Sequence, residues 1–202
     1  AYSAAKSAVV RLTESMAAET EASAAALRRL LPLTLGAEGE RRWGWVGFRD
    51  EVVDRFALTA DGDAFLATLQ RWRCERGGDV PEGVDEALFE ALRFDSFEWN
   101  PKARHIFLVI GDAPPPYERI SGMVSLVEAA HASPEGFEVR CLGILREAWI
   151  EGVPGFQELA DASGGMAIFE REGEPLLEAW WRLIVGSAAP AWGEGPFAGG
   201  GG

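Results

Sequence analysis

An α/β fold with a mostly parallel sheet, doubly wound in the Rossmann-like manner and bounded on one side by an antiparallel edge strand, is predicted by three features of the chain. Segments with helical and strand-like periodicity alternate along most of its 202 residues. Ile106-Phe107-Leu108-Val109-Ile110-Gly111 is a continuous apolar run that stops at Asp112, shortly before Pro114-Pro115-Pro116. Such a run, bounded by turn residues, reads as a strand buried on both faces. Two strand-like stretches, 42–49 and 52–58, are joined by a short turn, which makes the second antiparallel and places it at the edge.

The elements follow in order. Residues 2–31 are alanine-rich and read as helical, with Val9, Leu12 and Met16 on one face, a polar break at Glu19-Thr20-Glu21, and a stop at Pro32. After the two strands, 63–76 reads as a helix with Phe65, Leu66, Leu69 and Trp72 inward, ended by Gly77-Gly78. Pro81 opens the next helix, whose inward set is Val84, Ala87, Leu88, Ala91 and Leu92. The strand at 105–111 leads to a helix marked by Ile120, Met123, Val124 and Val127. A strand at 137–145, a short helix at 156–162 ended by Gly164-Gly165, a strand at 166–169 and a helix carrying Leu177, Trp180, Trp181 and Ile184 complete the domain, residues 1–186. Residues 187–202 form a Gly/Pro/Ala-rich tail.

A net charge of −13 with no basic stripe argues against nucleic acid as a partner. No apolar stretch approaches the length of a membrane span. Cys74 and Cys141 form no metal-ligand spacing, and two unpaired thiols favour a reducing, cytoplasmic setting. With only His105 and His131, a histidine triad or zinc site has little to draw on. His131 lies near a helix end, where an imidazolium meets the dipole favourably. His105 precedes a strand and has no acidic partner in view. Dinucleotide, P-loop and GxSxG patterns are absent, and Ser163 reads as part of a helix stop. Trp43, Trp45, Trp72, Trp180 and Trp181 fall at core or rim spacings, whereas Trp99, Trp149 and Trp192 lie in loops where they could meet a partner.

Asp112 has two readings. In an open α/β sheet, residues just beyond the carboxyl ends of the strands line the ligand crevice; equally, an aspartate before prolines caps a turn. Four segments in order add a resemblance: Trp45-Val46-Gly47-Phe48-Arg49-Asp50, Gly77-Gly78-Asp79-Val80-Pro81-Glu82-Gly83-Val84, Leu108-Val109-Ile110-Gly111-Asp112-Ala113-Pro114, and Phe156-Gln157-Glu158-Leu159-Ala160-Asp161-Ala162-Ser163-Gly164-Gly165. Over residues 1–186 this resembles a von Willebrand factor type A (vWA) domain of the hemicentin-like, bacterial branch.

The resemblance implies a metal-ion-dependent adhesion site built from Asp-x-Ser-x-Ser after the first strand, a Thr in a second loop and an Asp after the fourth strand. Asp112 matches the last, and Asp79 falls where the Thr usually sits. The Asp-x-Ser-x-Ser is not seen, and Ala1-Tyr2-Ser3-Ala4-Ala5-Lys6 looks like the helix that follows it. The expectation is therefore an N-terminally truncated vWA-like domain whose central first strand is missing. The strands at 42–49 and 105–111 would then flank an empty slot, leaving a disrupted or narrowed sheet and an unpaired edge through which copies of the chain could associate. Asp79 and Asp112 would form an incomplete metal site, holding a hydrated Mg2+ weakly, with other divalent cations also admissible. Without a metal, Asp79 caps the Pro81 helix, and Arg49 and Asp50 form a surface salt bridge. The function expected is a non-enzymatic protein-protein interaction module. In its complete form Mg2+ would bridge to a carboxylate on a protein partner, through loops after residues 49, 78, 112 and 145. Two alternatives stand beside it. One is a metal-independent scaffold of the same fold. The other is a metal-assisted hydrolase using Asp112 with a second acid or base, Asp79 or Asp50.

Overall fold

The computed structural model describes residues 6–12, 41–48, 52–71, 83–92, 97–145, 151–171 and 177–185. Its strands are β1 (Lys6–Leu12), β2 (Arg41–Phe48), β3 (Val52–Thr59), β4 (Arg104–Gly111), β5 (Phe137–Leu145) and β6 (Ala167–Arg171). Its helices are α1 (Gly62–Arg71), α2 (Val84–Leu92), α3 (Ile120–Ala132), α4 (Phe156–Asp161) and α5 (Leu177–Val185). The strands make one six-stranded sheet in the order β3-β2-β1-β4-β5-β6. All neighbours are parallel except β2 and β3, so the expected antiparallel edge strand is present.

The start of the chain departs from expectation. Lys6–Leu12 is the central strand, not part of a helix, and it pairs with β2 on one side and β4 on the other. Val10 is in register with Trp45 across one ladder and with Leu108 across the other. Local alanine content favours helix, but Val9-Val10 is a β-branched pair, and a segment bounded by two open strand edges gains a ladder on both sides. The slot is filled, the sheet is continuous, and self-association through an unpaired edge at that place loses its basis. The remainder of the expected helix, 13–31, lies outside the described residues.

Elsewhere, among the described residues, the periodicities hold, while the end of the helix expected over 63–76 and the Pro81 start of the next lie outside them. Asp61 caps α1, its Oδ1 accepting from the Ala64 amide at 2.9 Å, as an N-cap aspartate does. Strand alternation splits the core into two layers. Trp43, Trp45, Ile106, Leu108, Ile110, Leu142 and Ile144 pack with Phe65 of α1 and with Trp180 and Leu183 of α5. Val46, Phe48, Phe107, Val109, Val139 and Cys141 pack with α2, α3 and α4 on the other face.

Trp99 corrects a second expectation. It is buried in this second layer, its indole donating to the Ala91 carbonyl at 3.1 Å, and its ring meets Phe107 and Phe137 edge-on. It is therefore not placed to touch a partner. Trp149 and Trp192 lie outside the described residues, as do Trp72, Cys74 and the tail from 187.

Candidate functional site at the carboxyl edge of the sheet

Because β1, β2, β4, β5 and β6 run parallel, their carboxyl ends share one edge of the sheet. Asp112 is the first residue beyond β4 on that edge and is only 3% exposed. The chain then passes through buried Ala113, Pro114 and Pro115 into a 3-10 turn, Tyr117–Arg119, that leads into α3. The segment 151–155 ahead of α4 meets this run at Gly155. Gly155 adopts φ +87° just before α4, and a Cβ there would stand 3.3 Å from side-chain atoms of Pro115 and Ile120. Glycine is needed at that place both for its left-handed backbone and for the close approach.

Tyr117 is 59% exposed on this stiffened loop, five positions beyond Asp112. Sequence patterning did not single it out. The signal was present in Pro114-Pro115-Pro116-Tyr117, since prolines fix the backbone and leave the next aromatic at a turn. Beside it, Arg119 donates to Asp85 of α2 at 2.5 Å, and this hydrogen bond holds the guanidinium pKa above its ordinary value.

Other candidate residues sit away from this edge. His105, at the start of β4, is fully buried between Trp99 and Phe137, with Nδ1 3.1 Å from the Glu135 carbonyl and Nε2 2.9 Å from the Asn100 carbonyl. Burial lowers its pKa below 6.5, against the opposing pull of the Asn100 and Glu135 carbonyls and of the Glu135 charge. His131 is in the last turn of α3 and pairs with the Phe137 carbonyl at 3.0 Å. Ser163 is buried, accepts from the Val139 amide at 2.7 Å and so ties the end of α4 to β5, in keeping with a helix stop.

Asp79, Arg49 and Asp50 lie outside the described residues, so of the two expected metal carboxylates only Asp112 is placed. The acid or base that a hydrolase would need in Asp79 or Asp50 is likewise outside them. Among the described residues no group of three or more His, Cys, Asp or Glu side chains is arranged to hold a metal ion. No helix among them is long and apolar enough to cross a membrane.

No family model matches the sequence, and a search of curated proteins finds no match either. Solved structures do match. BatB, a conserved hypothetical protein of Bacteroides thetaiotaomicron, aligns over 90% of this chain and 98% of its own, with a TM-score of 0.63 at 16% identity. The SpRpn10 VWA domain aligns over 93% of this chain and 99% of its own, with a TM-score of 0.64 at 15% identity. The chain has a vWA-like fold.

A third similar structure is proximal thread matrix protein 1 from the mussel byssus, with a zinc-occupied MIDAS motif, at a TM-score of 0.59 and 11% identity over 87% of this chain and 45% of that one. In the vWA-like fold of the present chain the first strand is β1, so the sequence around its end can be read directly. The nearest counterpart to the spacing of Asp-x-Ser-x-Ser there is Arg11-x-Thr13-x-Ser15. A guanidinium has no lone pair to give a metal, so these residues do not fit the complete site that the resemblance implies.

Proposed function

We propose that this chain is a non-enzymatic protein-interaction module whose working face is the carboxyl edge of its sheet, and that it binds there without the complete metal site of the vWA pattern. The observation that carries the reading is Tyr117, an exposed aromatic held on a proline-stiffened loop beside the buried Asp112. A tyrosine presented on a proline-braced loop is the kind of residue that anchors interfaces, because it buries much area with few rotatable bonds. Strand ends positioned by a packed sheet supply the rigidity.

Peptides selected from a displayed random library against the folded chain provide the test. Tyr117→Ala is expected to weaken the selected ligands by about tenfold or more at unchanged melting temperature, and chelation by EDTA is expected to leave affinity intact. Undiminished affinity in Tyr117→Ala contradicts the reading.

A second reading is supported by the burial of Asp112 at this edge and by the zinc-occupied motif named for the mussel protein. In it, Asp112 and Asp79 are the two carboxylates that hold a divalent cation, Mg2+ or another, with a position open to a partner's acidic group. Millimolar Mg2+ would then raise the melting temperature of the wild-type chain, and Asp112→Asn would abolish the rise. A melting temperature indifferent to Mg2+ and Zn2+ removes this reading and leaves the first in place.

A further inference from the structure

We propose that the groove between α2 and α3 is a second docking surface, and that its occupant is a cationic amphipathic helix of another protein. The groove encloses about 800 Å³. That is within the range of clefts that accept several side chains. Val52, Met123 and Leu126 give it an apolar lining, and Phe89 projects into solvent at 57% exposure. On α2 the positions facing the sheet are Val84, Ala87, Leu88 and Ala91, which leaves Asp85, Glu86, Phe89 and Glu90 on the groove side. An exposed phenylalanine among carboxylates is an apolar anchor point with a charged rim, the layout that receives helices by their i, i+3, i+4 residues.

Charge decides the occupant. The lining holds four carboxylates, of which Asp85 is paired with Arg119 and Glu90 with Arg55 of β3, and Glu86 and Glu118 stand exposed on the rim as an acidic excess. Arg119 is engaged with one oxygen of Asp85, Oδ2, whereas Oδ1 is buried and has no hydrogen-bond partner among the described residues. A lysine or arginine from an incoming helix meets the exposed carboxylates of Glu86 and Glu118 in charge-assisted hydrogen bonds. A second copy of this chain, itself at −13, is repelled from such a rim.

The probe is a short labelled helical peptide with leucines on one face and lysine and arginine on the other, compared with a counterpart carrying glutamate in place of every basic residue. Fluorescence anisotropy is expected to show saturable binding of the cationic peptide alone, weakened by added salt. Phe89→Ser and the double variant Glu86→Lys/Glu118→Lys are each expected to weaken it by about tenfold or more at an unchanged melting temperature, while Asp112→Asn leaves it untouched. Equal binding of the two peptides, or cationic binding that survives both groove variants, overturns the proposal. So does a dimer of the chain alone that dissociates on Phe89→Ser, since that assigns the groove to a second copy.

Discussion

Buried Arg140 on β5 donates through Nη1 to the main-chain carbonyl of Leu183, in the last turn of α5. The final carbonyls of a helix lack partners within it, and a guanidinium meets both that need and the negative end of the dipole. The same side chain donates Nε to Glu138 at 2.6 Å, and Glu138 in turn receives Arg104 of β4. Arg140 thus fastens α5 to the sheet, and Glu138, which it orients, links β5 to β4 through Arg104. Arg140→Met keeps the apolar stem but orphans the Leu183 carbonyl and half of the Glu138 carboxylate, so urea denaturation is expected to show a loss of about 2–3 kcal/mol.

Gly165 precedes β6 at a point where the backbone of β5 passes very close. A Cβ at Gly165 would lie 1.8 Å from the Val139 carbonyl oxygen, a main-chain atom that cannot swing aside. Gly165→Ala is therefore expected to cost about 3 kcal/mol. Gly122, in α3, has nothing within 4 Å of the place a Cβ would occupy, so Gly122→Ala is expected to be neutral or to stabilise by up to about 1 kcal/mol. Thermal melts of the two variants check the contrast.

Stability is expected to fall in acid in two stages. His105 titrates below 6.5 in the folded chain, chiefly through burial, so the unfolded chain takes up the proton first and stability is lost as pH drops from 6.5 toward the lower folded value. Burial pushes the Glu138 carboxyl up, but its hydrogen bonds to Arg140 and Arg104 outweigh this and hold it below 4.5. Its contribution is present above 4.5 and disappears as pH falls through the folded value. Urea midpoints measured across this range are expected to show both stages in the wild type and only the lower one in His105→Phe.

The sheet from β2 to β6 was legible because each strand is apolar on both faces or bounded by turn residues, and Val84, Ala87, Leu88 and Ala91 carry a clean helical period. Lys6–Leu12 was not. Its alanines score as helix, and what makes it a strand is the pair of open ladders on either side, which no local window contains. Asp112 was legible from the abrupt end of its apolar run. Tyr117 and Phe89 were passed over because a search for buried faces discards exposed aromatics. Native-state hydrogen exchange checks the strand assignment: the Val9 and Val10 amides are expected to exchange among the slowest, whereas rapid exchange there would contradict a central position.

The face on which this module works is tested most directly by hydrogen-exchange footprinting of the chain with and without a peptide selected against it. Protection is expected to centre on the amides of residues 117–119 and 151–155, since Pro114-Pro115-Pro116 carry none, and to vanish in Tyr117→Ala. Protection confined to the outer surfaces of α1 and α5, with 117–119 unchanged, would contradict the account.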